Sequence, residues 1–230
     1  MTSPEAITEK EILRWSEMLS AMARTGLAFT QSLYERERYE EILHVAAEIQ
    51  ASSSLPIEID TLVDEWTKTI GHGVPGYVTP KNTVAAIVGN DEGELLLVQR
   101  ADSGFWLYPT GWADVGYSPA EVAVKEVWEE TGIKSEVVRL LGIHDGMRLG
   151  FTRIPMYSTV FHLRAIGGEL KAHPLECSAV GFFAEDQLPS PLIAADRWVG
   201  RAFAAIRNEP VSVEFDDVRT PPWELEDDHG

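Results

Sequence analysis

The stretch GWADVGYSPAEVAVKEVWEETGI, residues 111–133, contains the signals that start and stop one helix. Ser118 can cap the helix, Pro119 suits its first position, and Glu121 lies where a capping box requires an acidic residue. Gly132 follows the last residue with helical spacing and is typical of a helix end. The sequence therefore predicts one helix that begins after Ser118 and ends at Gly132.

Three glutamates lie inside this predicted helix, at Glu126, Glu129 and Glu130. Residues three and four positions apart share one helical face, so their carboxylates repel one another by about 0.2–0.5 kcal/mol per pair. A divalent cation would compensate this repulsion, and carboxylate oxygens suit Mg²⁺ or Mn²⁺, which also accept phosphate oxygens. The alternative is a solvated acidic face, which is the more common role of an isolated acidic triplet.

The segments on either side of this helix have the residue composition and turn spacing of β-strands. VAAIV, the turn NDEG and ELLLVQR predict a hairpin of buried strands, and a third strand is expected around FWLYP. Further strands are expected at EVVRLLGIHD, MYSTVFHLRAI, GGELKA and AVGFF, followed by a last helix over residues 191–207. Strands interrupted by one helix and closed by another predict an α/β (α+β) fold, in which a mixed sheet packs between helices.

The N-terminal region predicts a small all-helical domain. Apolar residues recur at helical spacing, and Gly26 with the TGLAFTQS stretch is expected to divide them into two helices, followed by a third after the polar break ASSSLP. Trp15 and Leu19 belong to apolar helical faces that must be buried against the rest of the chain or a second copy. A homodimer is therefore a hypothesis of the sequence.

Changes in composition predict the domain boundaries. Glycines and prolines between residues 71 and 80 favour a linker without helix. The expected domains are residues 1–70, which are helical, and residues 81–208, which contain the sheet. The acidic C-terminal extension, residues 209–230, is expected to be partly flexible.

The charge balance excludes several classes of partner. Lys and Arg number 19 against 37 Asp and Glu, a formal net charge of -18, which disfavours DNA, acidic membranes and, more weakly, RNA. An anionic substrate would need a cation between two negative partners. Cys177 is the only cysteine, and no apolar run approaches the length of a membrane span. These features predict a cytoplasmic protein.

Residues 111–133 resemble the Nudix box, G-x5-E-x7-R-E-U-x-E-E-x-G-U, in which U is a bulky aliphatic residue. The matching positions are Gly111, Glu126, Val127, Glu129, Glu130, Gly132 and Ile133. So many fixed positions, flanked by strand signals, form a highly specific pattern. The resemblance implies a Nudix-type α/β/α sandwich and hydrolysis of a diphosphate linkage in a nucleotide derivative.

Three positions depart from the general box. Tyr117 occupies a glutamate position, and Lys125 replaces an arginine, which loses bidentate geometry toward carboxylates. Thr110 precedes Gly111 where many members have a glycine pair. The missing carboxylate implies fewer metal ions, and the backbone carbonyl at Thr110 is expected to be presented differently.

A closer resemblance extends over roughly residues 10–190. GYVTPK, GWADVG-SPAE, KEV-EE and AVGFFAEDQLP, with the N-terminal ILRW…RTGL…RERYEE…AAE region, are similar to Nudix enzymes that have a helical N-terminal domain. Members of that subgroup also have lysine at the Lys125 position and a non-acidic residue at the Tyr117 position. The resemblance implies a homodimer that cleaves a nucleoside diphosphate linked to a moiety X, such as a CDP-choline-like, nucleotide-sugar or ADP-ribose-like compound.

The resemblance also implies roles for the acidic residues. Glu126, Glu129 and Glu130 would hold Mg²⁺, with Mn²⁺ as the alternative; Glu129 and Glu130 would be direct ligands, and Glu126 either a ligand or the group that orients the water. Glu176, in the loop HPLECSAVGFF, is the expected general base, and a plain loop carboxylate is the equally weighted alternative.

Three further residues are predicted to contact the substrate. Arg100 would meet a phosphate, or else pair with a surface acid. Trp112 would stack on the base, or else belong to the core, and Asp114 would orient a ligand, or else form an Asx turn. Two other functions remain open for the same site: 3′ RNA exonuclease activity, and nucleotide sensing without catalysis.

Overall fold

The computed structural model describes residues 7–52, 58–68, 70, 78–114, 116–150 and 152–221. The chain divides into two compact units: Met1–Pro80 with Gly146–Met156, and Lys81–Asp145 with Tyr157–Gly230. No signal in the sequence indicated that Gly146–Met156 would group with the N-terminal region. Most of the expected linker lies outside the described residues, so the domain boundaries set from sequence stay predictions.

The N-terminal unit confirms the expected helical domain. It contains α1 (Glu9–Phe29), α2 (Leu33–Ala51) and α3 (Ile59–Lys68). A capping box between Thr8 and Glu11 starts α1. The three helices share a core of buried residues: Ala23, Leu27, Leu43, Ala46, Ala47, Leu62 and Trp66.

The predicted division into two helices at the TGLAFTQS stretch is confirmed, but Gly26 itself does not break the first helix. α1 continues through Gly26 to Phe29, and the break falls at the end of the TGLAFTQS stretch, before α2 begins at Leu33. A Cβ atom at Gly26 would overlap the ring of Tyr39 in α2. The glycine is explained by this close approach of two helices and not by a helix end.

The second unit is built on a mixed sheet. Its described strands are β1 (Lys81–Gly89), β2 (Leu95–Arg100), β3 (Trp106–Leu107), β4 (Thr110–Trp112), β5 (Ile133–Asp145), β6 (Met156–Gly168), β7 (Cys177–Phe183) and β8 (Glu214–Phe215). The order is β3-β2-β1-β6-β5-β8, with β4 paired to β1 and β7 paired to β2. β5 pairs antiparallel with β6 and parallel with β8. The predicted hairpin of β1 and β2 is confirmed.

Helices cover both faces of this sheet. The helices of this unit that the structure describes are α4 (Pro119–Thr131) and α6 (Ala195–Ile206), whereas α5 (Gly146–Leu149) belongs to the first unit. Val84, Ala86 and Val88 of β1 pack in the cluster that contains the buried face of α4. Ile87 points to the opposite face and packs with Phe203 of α6. Successive residues of β1 therefore serve two cores, as side chains alternate along a strand, and the α/β/α sandwich is confirmed.

α4 has the ends that the sequence predicted. Ser118 accepts a hydrogen bond from the backbone N–H of Glu121, and the Glu121 side chain accepts one from the Ser118 N–H, which forms the capping box. Gly132 ends the helix with φ of 72°. A Cβ at Gly132 would collide with the carbonyl oxygen of Glu169, so this position requires glycine on two grounds.

Two predicted elements differ in the structure. GGELKA forms no strand of its own, because Gly167 and Gly168 have positive φ and the chain then turns so that the Lys171 N–H bonds to the Thr131 carbonyl. The last helix begins at Ala195 and not at residue 191, since the preceding segment pairs with Trp106. Backbone pairing with a distant strand thus overrides the local helical pattern.

Part of the C-terminal extension joins the sheet. Glu214 and Phe215 form β8 beside β5, and the Asp216 carboxylate accepts a hydrogen bond from the Asp145 N–H. The acidic tail after Pro221 lies outside the described residues. None of the helices that the structure describes is long and apolar enough to cross a membrane.

Candidate active site

Gly111 and Glu126 meet where β4 lies against α4. Gly111 pairs with Val84 of β1, on the sheet face that α4 covers. A Cβ atom at Gly111 would overlap the carboxyl atoms of Glu126. The Glu126 carboxyl group therefore occupies a space that only glycine leaves open, which explains a fixed glycine fifteen residues before a fixed glutamate.

Glu130 is the buried acid of the site, with 6% of its surface exposed. Its Oε2 atom accepts a hydrogen bond from the backbone N–H of Thr110 at 3.0 Å. Burial raises the pKa of Glu130 to about 8, although the Thr110 hydrogen bond lowers it, and the charges of Glu126 and Glu176 raise it further. The positive groups near Glu130 do not offset the effect of its burial on the ionised form. A bound cation would supply the missing positive charge.

Glu126 and Glu176 belong to the same electrostatic cluster. Burial raises the pKa of Glu126, Lys125 lowers it, and the negative charges of Glu129 and Glu176 raise it again. Glu176 reaches this cluster from the loop before β7, which is held to the end of β2 by a hydrogen bond from the Ala101 N–H to the Glu176 carbonyl. The structure therefore brings the predicted base toward the predicted metal-binding acids.

Glu129 differs from its two neighbours because it is exposed and already paired. Lys125, one turn earlier in α4, donates a hydrogen bond to Glu129 Oε2 at 2.8 Å. The same ammonium lies 3.1 Å from Oδ2 of Asp114 in the loop between β4 and α4. Asp114 therefore contacts Lys125, which the sequence did not predict.

Within the part of the chain that the structure describes, no three acidic, histidine or cysteine side chains are assembled as a finished metal site. The residues present nevertheless fit a hard dication in their chemistry. Glu126 and Glu130 offer carboxylate oxygens with raised pKa values, and the bare backbone at Gly111 lets the Glu126 carboxyl group lie against β4. Glu129 would complete the set through Oε1, or through both oxygens by leaving Lys125.

The two other predicted contact residues lie at the rim of this region. Arg100 donates hydrogen bonds to both carboxylate oxygens of Asp102, at 2.9 and 2.5 Å, and its charge acts on Glu130. Trp112 is 47% exposed, and Lys81 Nζ lies 5.4 Å from the centre of its ring. Trp112 is therefore no core residue, and about half of its surface is accessible to solvent.

Four contacts of the site were not predicted from the sequence. The Lys125–Glu129 pair had a readable signal, since residues four apart on a helix are neighbours. The Lys81–Trp112 and Lys125–Asp114 contacts had none, because these residues meet only after β1, β4 and α4 come together. The Thr110 N–H was also hidden, since any residue but proline offers one.

The raised pKa of Glu130 predicts a pH dependence of stability in metal-free protein. The folded-state pKa of about 8 exceeds the ordinary value of 4.5, so the stabilising contribution is complete below about pH 4.5 and is lost as pH rises through about 8. Between pH 5 and pH 8.5 in EDTA, the unfolding free energy of the wild type should fall relative to Glu130→Gln by at least ~1.4 kcal/mol, equivalent to one pKa unit. Urea unfolding of both proteins measures it, and parallel pH profiles would contradict it.

Comparison with known families agrees with this geometry. The model of the NUDIX domain matches residues 79–204, more than half of the chain. A second model, described as the UDP-X-like N-terminal oligomerisation domain, matches residues 10–58. The chain belongs to the Nudix family and is a Nudix hydrolase, an enzyme class that acts on diphosphates.

Two of the similar proteins match nearly the whole chain, and a third matches a little over half of it. YjhB of Bacillus subtilis (strain 168), named as a candidate ADP-ribose pyrophosphatase, is 34% identical over 212 residues, which cover 91% of this chain and 93% of YjhB. A solved UDP-X diphosphatase is 28% identical, covers 91% of this chain and 100% of its own, and superposes with a TM-score of 0.52. An ADP-ribose pyrophosphatase from Streptococcus suis is 34% identical, covers 60% of this chain and 100% of its own, and has a TM-score of 0.52. The chain is thus a Nudix hydrolase that is similar to proteins named as UDP-X diphosphatase and ADP-ribose pyrophosphatase.

Proposed function

We propose that this enzyme uses Mg²⁺ to hydrolyse the diphosphate bond of a nucleoside diphosphate linked to a second moiety X. One observation carries the proposal: the Glu126 carboxyl group fills the space above Gly111, while Glu130 is buried beside it and fixed by the Thr110 N–H. Ionising a buried acid next to a second, half-buried acid is unfavourable without a cation. A diphosphate is the anionic substrate that such a cation would bind.

Each acidic residue has a distinct part in this proposal. Glu126, Glu129 and Glu130 would hold the metal, which supplies charge neutralisation at the phosphate oxygens and lowers the pKa of the attacking water. Thr110 orients Glu130 through its backbone N–H. Glu176 would take the proton of the water, and its charge already acts on Glu126 and Glu130. These roles are compatible with in-line attack on a phosphorus atom.

The substrate class follows from the similar proteins together with the exposed indole. The UDP-X diphosphatase and ADP-ribose pyrophosphatases to which the chain is similar are named for nucleoside diphosphate compounds. Trp112 offers an exposed ring for stacking on a base, and Lys81 places a positive charge beside it. CDP-choline-like compounds, nucleotide sugars and ADP-ribose-like compounds are therefore the proposed substrates.

A substrate panel tests this function. The full-length enzyme is incubated with CDP-choline, UDP-glucose, ADP-ribose, a dinucleoside diphosphate and a short RNA, each with Mg²⁺, with Mn²⁺ and with EDTA, and products are identified by mass. We expect a nucleoside monophosphate and phosphorylated X only when metal is present. Release of mononucleotides from RNA alone would replace the proposal with an exonuclease, and inactivity on all compounds would favour a nucleotide sensor.

We also propose that the enzyme is a homodimer joined through its N-terminal unit. Trp15, Met18 and Met22 lie three and four positions apart on α1, and 38%, 46% and 60% of their surfaces are exposed. Such an apolar stripe on one helix is typical of a surface covered by another chain. The match to an oligomerisation domain over residues 10–58 supports a second copy as the partner.

Charging this stripe should separate the subunits. With Met18→Glu and Met22→Glu together, we expect the mass measured by light scattering to fall from two chains to one, because burying two carboxylates in an apolar interface is unfavourable. Val45→Glu is the matched control, since it charges an exposed apolar residue on α2. A wild-type mass of one chain would contradict the proposal.

The cytoplasm remains the proposed location, based on the single cysteine of the sequence.

A further inference from the structure

Lys125 contacts two carboxylates that belong to different elements. Its Nζ atom lies 2.8 Å from Glu129 Oε2 on the same helix and 3.1 Å from Asp114 Oδ2 in the preceding loop. Both acids are about half exposed at their side chains, so neither is fixed by packing. One ammonium thus has two acceptors, and Glu129 is the only one of the two with a proposed metal-binding role.

The competition for Glu129 is a direct consequence of this geometry. A carboxylate oxygen that accepts a hydrogen bond from Lys125 cannot offer the same lone pair to a metal ion. A cation that binds Glu129 through Oε2, or through both oxygens, would displace the ammonium, and Lys125 would then lose a partner within a strongly acidic cluster. Asp114 is already within ion-pair distance and can take the whole interaction without movement of the backbone.

We propose that Lys125 is a positioning residue that exchanges partners: it holds Glu129 while the cation is absent and pairs with Asp114 when Glu129 turns to the cation. The inference rests on the proposed metal-binding role of Glu129. It also gives a reason for two departures from the box. Tyr117 removes the usual loop acid, and Asp114, three positions earlier, supplies a carboxylate of the loop for the lysine.

Two simpler explanations make different predictions. If Lys125 only fastens the loop to α4, its removal loosens the site and weakens cation binding. If Lys125 and Asp114 act only through their charges, removing the lysine strengthens cation binding and removing Asp114 weakens it, each independently of the other. Partner exchange predicts stronger binding without the lysine, together with an effect of Asp114 that depends on the lysine.

The test measures binding of Mn²⁺ alone to EDTA-stripped, full-length enzyme by electron paramagnetic resonance of the free ion. The proteins are the wild type, Lys125→Met, Asp114→Asn and the double variant. We expect Lys125→Met to tighten Mn²⁺ binding and Asp114→Asn to weaken it, each by about three- to fivefold, the range of one partly exposed ion pair. In the Lys125→Met background, Asp114→Asn should change the affinity by less than about twofold, since coupled residues are non-additive.

Lys134→Met provides the charge control, because it removes one exposed positive charge at the start of β5. It should leave Mn²⁺ binding unchanged. Weaker binding by Lys125→Met would overturn partner exchange in favour of a fastened loop, and equal effects of Asp114→Asn in both backgrounds would overturn it in favour of independent charges. In either case the proposed function survives. A wild type that binds no Mn²⁺, with or without nucleotide, would overturn both.

Discussion

Replacing Glu130 by glutamine is expected to lower kcat/KM for the preferred nucleoside diphosphate compound by about 1000-fold, at the upper end of losses seen when one preorganised electrostatic group is removed. Glutamine preserves the shape of the side chain and can still accept the hydrogen bond from the Thr110 N–H. The substitution removes the buried negative charge of the carboxylate, and the proposed cation needs that carboxylate as a ligand. The loss should therefore appear in metal affinity as well as in turnover.

The fold should survive this substitution. A buried carboxyl group with a pKa of about 8 is costly to ionise, so Glu130→Gln should be at least as stable as the wild type in EDTA near pH 8. Glu136→Gln serves as the control, since Glu136 is an exposed acid of β5 paired with Arg164. It should retain full activity. An active Glu130→Gln enzyme would remove the proposed metal role of Glu130.

Gly111→Ala is expected to lower activity by about 100-fold or more, comparable with losing a correctly placed charged group. The new methyl group would overlap the Glu126 carboxyl atoms, which lie at the end of a flexible side chain. The side chain can therefore move aside. We expect the substitution to displace the Glu126 carboxylate and to leave the backbone in place. Mn²⁺ affinity and steady-state kinetics measure the effect.

The matched control for Gly111→Ala is Gly200→Ala. Gly200 lies within α6, and a Cβ atom there would meet nothing within 4 Å. Alanine should be neutral for activity and should stabilise the helix by about 0.5–1 kcal/mol. If Gly111→Ala unfolds the protein, thermal melting will show it. If it keeps both activity and metal affinity, Glu126 has no fixed position that matters for catalysis.

Local sequence signals predicted those parts of the fold whose structure depends on neighbouring residues in the chain. The capping box at Ser118 and the stop at Gly132 set the bounds of α4, and the hairpin of β1 and β2 follows from its turn. Gly26 was misread because a glycine inside a helix can serve close packing or a helix end, and only the ring of Tyr39 decides between them. The late start of α6 has a similar cause, since its predicted first residues pair with Trp106.

The candidate site divides along the same line. The helical spacing of Glu126, Glu129 and Glu130 is a property of the sequence, since any helix over these residues places the three on one side. The unequal burial of these three glutamates is not a property of the sequence alone. Glu130 is buried and Glu129 is exposed because the α4 face turns one edge toward β4 and the other toward solvent.

The sequence by itself therefore determined the family, the helix that carries the acids and the approximate positions of most strands along the chain. These features depend on short-range spacing. The tertiary structure alone decided that Glu126 lies over Gly111, that Thr110 fixes Glu130, and that Glu176 joins them from the loop before β7. It also paired Lys125 with Asp114. Burial and pKa depend on the side chains that surround a group in space, and those neighbours come from segments that only the folded sheet brings together.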